Sequence, residues 1–247
     1  MTKPFSFCVA TPTANAMVNL TFMNSAVGLA FECAKRGLPA KFINTQFSSV
    51  LPAARNILTD QFLNHSDASH LLFIDSDMGF DPVELCSMFD YAHLDVVAAM
   101  CTSKTLNWAN IARVAREHPD MPAGQLAEIA GTFDGMVSLP SGSSFPVARE
   151  PVEVVNIGTG VMMISRDILE RLAASPVIPR HIFTGIEPMP AFFDNGVTEE
   201  NRYVGEDFIF CRRVREIGGT VWGCPWLRIT HSGTFDFVGN LPRVVTL

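Results

Sequence analysis

Apolar and polar positions along the first hundred residues switch repeatedly between strand and helix spacing. Phe5 to Ala10 is a short, mostly apolar run closed by Thr11-Pro12-Thr13, the pattern of a buried strand. Ala16, Leu20, Met23, Val27, Ala30 and Ala34 then recur on one helical face, and Lys35-Arg36-Gly37 with Pro39 stops that helix. Lys41 to Asn44 predicts a second strand, Pro52 to Leu63 a second helix, and His70 to Ile74 a third strand. Asp81-Pro82-Val83-Glu84 reads as a helix start, with Asp81 capping, Pro82 at the first helical position and Glu84 in a capping-box position. That helix runs to about Ala92, and Asp95 to Met100 is the next strand. Strands alternating with helices argue for a parallel, Rossmann-like sheet.

The rhythm changes after Lys104. Ala109 to His118 and Gln125 to Ala130 have helical spacing, and Gly131 to Pro151 is rich in turn formers and reads as turns with a hairpin. Val152 to Val155 and Val161 to Ser165 predict strands around Asn156-Ile157-Gly158-Thr159-Gly160. Arg166 to Ala174 and Glu206 to Ile217 predict helices, separated by a loop over residues 177–201. Thr220 to Gly223 and Leu227 to Thr230 predict short strands leading to His231-Ser232-Gly233. The expectation is one α/β domain over residues 1–247. Residues 1–104 form a nucleotide-binding half, and residues 105–247 an acceptor-binding and catalytic half packed on the same sheet.

Composition narrows the function. The chain has 247 residues, 48% of them hydrophobic and 17% charged, which suits a compact fold with a large core. A net charge of −7 argues against a nucleic-acid partner, so an anionic ligand must be held by a metal, local basic groups or backbone N–H groups. The six cysteines show no C-x-x-C pair, which disfavours a zinc cluster and reads as reduced core thiols. Met1-Thr2-Lys3-Pro4 does not open a signal peptide, and no apolar run approaches the roughly 18 residues of a membrane span. A cytoplasmic protein is the expectation. Neither Gly-x-Gly-x-x-Gly nor a Walker A motif is present, which disfavours a dinucleotide or P-loop site.

Chemistry gathers at a few points. Leu71-Leu72-Phe73-Ile74 runs directly into Asp75-Ser76-Asp77. Two carboxylates at the carboxyl end of a strand, spaced to point the same way, suit a hard divalent cation, which in turn suits a phosphate. A surface turn after a strand is the plainer reading. Glu206-Asp207 opens a helix, where acids complement the helix dipole or, alternatively, supply a general base. His231 ends a strand as either a structural histidine or a contact to metal or phosphate. Arg55-Asn56 is a polar pair in an apolar helix, either facing solvent or donating to a phosphate or base. Trp108, Trp222 and Trp226 are candidates for stacking on sugar rings, or are packing aromatics.

In order along the chain, these pieces resemble a glycosyltransferase of the GT-A fold, in the manner of the large family 2 group. Carrying the resemblance are Thr11-Pro12 after the first strand, Arg55-Asn56, Asp75-Ser76-Asp77, Gly158-Thr159-Gly160 before a strand, Glu206-Asp207 and the closing His231-Ser232-Gly233, spanning about residues 5–235. The resemblance implies a nucleotide-diphosphate sugar donor over the carboxyl ends of the first strands. Thr11, Pro12, Arg55, Asn56, Asp75 and Ser76 would line the donor. Asp75, Asp77 and His231 would hold Mn²⁺ or Mg²⁺. Asp207, with Glu206 beside it, would take the proton from an acceptor hydroxyl on a glycan, lipid or protein in an inverting displacement. Residues 104–151 match no known pattern, and family 2's frequent membrane extension has no counterpart in this chain. Two rivals remain: a haloacid-dehalogenase-like phosphatase with Asp75 as nucleophile, and a non-catalytic nucleotide- or sugar-binding module.

Overall fold

A computed structural model describes residues 4–46, 49–133, 137–143, 149–176, 178–183, 185, 187–198 and 200–235. The N-terminal Met1 to Lys3 and the apolar tail Val244-Val245-Thr246-Leu247 lie outside the described residues.

The fold is mixed α/β around a mostly parallel seven-stranded sheet. The first half supplies β1 (Phe7–Thr11), α1 (Leu20–Arg36), β2 (Ala40–Asn44), α2 (Leu51–His65), β3 (His70–Ile74), β4 (Met78–Phe80), α3 (Pro82–Cys86) and β5 (Val96–Ala99). The second half supplies α4 (Trp108–Glu117), α5 (Ala123–Glu128), β6 (Val152–Glu153), β7 (Val161–Ser165), α6 (Arg166–Ala174), α7 (Glu206–Glu216), β8 (Val221–Cys224) and β9 (Ile229–His231), besides several two-residue strands. The sheet order is β2-β1-β3-β7-β5-β8-β6. β7 runs antiparallel to both β3 and β5, and β6 antiparallel to β8; the other five strands share one direction.

Both faces of the sheet are covered at its centre, which explains why its central strands β1, β3, β7 and β5 read as unbroken apolar runs rather than alternating ones. Leu71 and Phe73 of β3 join the core built with α2, α6 and α7, while Leu72 and Ile74 join the opposite core with α1 and α3. All six cysteines are buried and unpaired within these layers.

One expectation fails here. The apolar stripe Ala16, Leu20, Met23, Val27, Ala30 and Ala34 does not form the buried face of α1: apart from Ala16, which precedes the helix, these residues lie on its outer side and are exposed. The helix starts at Leu20, capped by Asn19, and buries Phe22, Ser25, Leu29 and Cys33 instead. Ser25 disguised that stripe. Its hydroxyl donates to the Phe80 carbonyl at 2.8 Å and accepts from the Phe80 amide at 2.9 Å, so a polar side chain is buried with its hydrogen bonds satisfied. Gly37 ends α1 in the left-handed conformation at φ 65°, as the Lys-Arg-Gly stop predicts.

The short β4 was not foreseen. It pairs with β9, placing Met78 opposite His231 and Gly79 opposite Thr230. That pairing carries the closing histidine back to the end of β3.

Candidate active site

The carboxyl ends of β1, β3 and β5 and the start of the antiparallel β7 lie at one edge of the sheet. The Asp75 amide donates to the Gly160 carbonyl at 2.9 Å, fixing the D-x-D turn against the loop before β7. Gly160 leaves room there for Met78: a Cβ would lie 2.4 Å from Met78 Cε, so that side chain would have to shift. Beside it Thr159 is buried, and its hydroxyl has no hydrogen-bond partner among the described residues.

Two charged clusters meet at the D-x-D. In the first, Arg55 reaches from the first turns of α2 and donates Nη1 and Nη2 to the two oxygens of Asp75, each at 2.9 Å. Its Nε donates to Glu206 Oε1 at 3.3 Å, and its guanidinium lies over the Phe73 ring at 5.3 Å. Arg55 is 2% exposed, so it is not the solvent-facing arginine of the simpler reading. A bidentate guanidinium–carboxylate pair is among the stronger contacts, and burial makes both partners depend on it. It ties α2, β3 and α7 together and sets Glu206-Asp207 beside the D-x-D.

The second cluster holds Asp77. Lys104 Nζ donates to Asp77 Oδ2 at 2.5 Å, and His231 Nε2 stands 3.7 Å from Oδ1. The Asp77 carbonyl accepts from the Ser232 amide at 2.9 Å. Burial raises the Asp77 carboxyl, but the nearby His231 and the hydrogen bond from Lys104 outweigh it and hold it at about 2. The Asp77 contact raises His231 against the opposing effect of burial. His231 Nδ1 lies 2.7 Å from the Thr102 carbonyl, which favours a proton on that nitrogen and turns Nε2 toward Asp77.

Among the described residues, no three His, Cys, Asp or Glu side chains form a ready metal cluster. A divalent ion of the Mg²⁺ type commonly takes one or two protein ligands and completes its shell from substrate phosphates and water. Asp77 and His231 fit that requirement. A metal-ligating histidine typically donates its other ring N–H to a carbonyl or carboxylate, as His231 is placed to do. Asp75 spends one lone pair of each oxygen on Arg55, which leaves Asp77 the more open of the two carboxylates. The same pairing leaves Asp75 poorly placed as a phosphatase nucleophile.

Asp207 lies in the first turn of α7 after Gly205, where a Cβ would come 2.9 Å from its Oδ1. Burial, then the neighbouring Glu206 charge, pushes its carboxyl up to about 6. A base near neutrality suits proton abstraction from a hydroxyl.

Thr11 lines a groove of about 320 Å³ with Ala16, Val18, Phe42 and Asn44, at the ends of β1 and β2. Pro12 is buried beside it. Asn56 lies elsewhere in the architecture. It is fully buried, donates to the Phe193 carbonyl at 2.7 Å and accepts from the Phe193 amide at 2.9 Å, so it supports the fold rather than facing a donor. Ser76 accepts the Asn19 amide at its carbonyl, joining the turn to the cap of α1. Trp222 donates its indole N–H to Thr220, and Trp226 donates to Ser87 and packs on Tyr91, whereas Trp108 is exposed. Lys104 was missed by the sequence reading, although a lone lysine just past a strand carboxyl end is a signal that could have flagged it.

No family model and no curated protein matches the sequence. Among solved structures, the A197 protein from STIV aligns at 16% identity over 93% of this chain and 87% of its own, with a TM-score of 0.51. It shares the fold. A glycosyltransferase involved in glycosylation of the major capsid of PBCV-1 aligns at 12% identity over 67% of this chain and 63% of its own, with a TM-score of 0.33. The inositol-1-phosphate CTP transferase from T. maritima aligns at 8% identity over 94% of this chain and 91% of its own, at 0.47. Likenesses below 0.5 are too remote to assign chemistry.

Proposed function

We propose that this chain is a metal-dependent glycosyltransferase that moves a sugar from a nucleotide-diphosphate donor to an acceptor hydroxyl, with inversion. One observation carries the reading: a D-x-D strand end is drawn into a single site with His231 and with a helix start whose Asp207 has a raised carboxyl pKa. The groove beside Thr11 is the candidate seat for the nucleoside. Asp77 and His231 would hold the divalent ion, which when bound supplies Lewis-acid stabilisation of the departing diphosphate. Asp75 acts through Arg55, fixing Glu206 and hence the start of α7. Asp207 accepts the proton of the attacking hydroxyl, and burial, with the neighbouring Glu206 charge, keeps it basic enough to do so.

The test is thermal shift of the purified protein against UDP, GDP, ADP and CDP, each with and without Mn²⁺. A ligand that binds only the folded state raises the midpoint by mass action. The expected result is a Mn²⁺-dependent rise with one nucleotide, abolished by Asp77→Ala. No rise with any nucleotide under either condition overturns the donor-site reading. Nucleotide binding without turnover of any nucleotide sugar identifies a binding module instead.

A further inference from the structure

Arg55 and Lys104 both pair with the D-x-D, but in different surroundings. The Arg55–Asp75 pair is bidentate and anchored by an arginine 2% exposed, whereas the Lys104 and Asp77 side chains are 43% and 30% exposed. An ion pair that open holds weakly and is readily exchanged. We infer that Lys104 is a transferable counter-cation: it neutralises Asp77 in the free protein and passes to the donor's diphosphate when a divalent ion takes Asp77. This rests on the glycosyltransferase reading above.

Three observations support the transfer. Lys104 Nζ sits 2.5 Å from Oδ2 of the carboxylate that, with His231, is best placed to hold an ion. An ammonium and a divalent cation repel each other at one carboxylate, so the ion's arrival displaces the lysine head. The lysine stem passes close over Gly233, where a Cβ would lie 3.0 Å from Lys104 Cδ and 3.3 Å from Cγ. The stem is therefore steered into the site while, among the described residues, the head is held by the exposed pair alone. Arg55 is committed to Asp75 and Glu206, so it cannot serve the diphosphate without breaking its buried pairs. Lys104 can, because a lysine acts as a point charge on a flexible stem.

The distinguishing feature is a pair of effects of opposite sign. Binding of Mn²⁺ alone is measured by calorimetry and by the loss of the free-ion paramagnetic resonance signal. Binding of Mn²⁺ with the nucleoside diphosphate selected by thermal shift is measured in the same way. Lys104→Met removes the competitor but keeps the stem, so Mn²⁺ alone binds roughly two- to fivefold tighter. The same variant binds the Mn²⁺–diphosphate pair roughly ten- to a hundredfold more weakly, having lost a charged contact. Lys104→Arg, which keeps the cation, retains diphosphate binding. If Lys104→Met weakens both ligands, the lysine is structural and the inference falls. If it leaves diphosphate binding unchanged, the inference falls while the donor site stands. If the parent protein binds no nucleoside diphosphate with or without Mn²⁺, both fall.

Discussion

Asp207→Asn separates catalysis from stability at a single atom pair. The Asp207 carboxyl is raised from 3.8 to about 6, first by burial and then by the Glu206 charge. A carboxyl whose folded pKa lies above its unfolded value binds its proton more tightly in the folded state, so stability falls as pH rises through that interval. Below about pH 3 the group is protonated in both states and contributes nothing. Above about pH 6 the full cost is present. The displacement corresponds to about 2–3 kcal/mol once partial solvent access is allowed for. The asparagine keeps the oxygen that accepts the Phe208 amide at 2.8 Å and removes the charge. At pH 7.5 the variant should therefore melt about 4–12 °C higher than the parent, at about 2–4 °C per kcal/mol for a chain of this length. At pH 4 the difference should shrink to about 1–2 °C. Sugar transfer should fall about 10²–10⁴-fold, the contribution expected of a positioned base. The parent's transfer rate should rise with pH through about 6, as Asp207 loses its proton. The assay is scanning calorimetry from pH 4 to 8 alongside transfer with the donor identified by thermal shift. A midpoint difference that does not change with pH would refute the burial argument, and near-normal turnover would refute the base assignment.

Arg55→Met should destabilise the fold by about 3–5 kcal/mol in denaturant titration, because it strands Asp75 and Glu206 without their cation; a change under 1 kcal/mol would mean the pair is not the anchor it is taken to be. Gly160→Ala drives a Cβ to 2.4 Å from Met78 Cε, next to Asp77. It should cost about 1–3 kcal/mol and weaken nucleotide binding, and adding Met78→Ala should restore binding but not stability, since truncating that buried side chain costs about 2–5 kcal/mol itself; failure to restore binding would place the strain elsewhere. Thr159→Val removes a buried hydroxyl without a partner among the described residues and should raise stability by about 1 kcal/mol in the same titration. A loss of stability would show that the hydroxyl is bonded in solution.

What the sequence revealed and what it hid follow one physical division. Signals confined to a short window were legible: β3 is an apolar run ending at Asp75, Asp81 caps α3 by accepting the Glu84 amide, and Gly37 closes α1. These depend on local backbone geometry and on burial of contiguous residues. The site itself depends on partners far apart in the chain. Arg55 meets Asp75 across twenty positions and Glu206 across 151, and Lys104 reaches Asp77 across 27. None of these spacings leaves a periodic trace. The error on α1 has the same origin. Two stripes of that helix carry apolar residues, and the buried one, with Phe22, Leu29 and Cys33, includes a Ser25 whose long-range bonds to the Phe80 backbone satisfy it. The misplaced role of Asn56 follows suit, since its amide is committed to Phe193, 137 positions away. A polar residue on an apolar helix therefore marks a commitment to a distant backbone or charge, and only the tertiary structure tells whether that partner belongs to the fold or to the chemistry. Under the proposed function Arg55 serves both: the pairing that buries it fixes the start of the helix bearing Asp207, so stability and the placement of the proposed base rest on the same guanidinium.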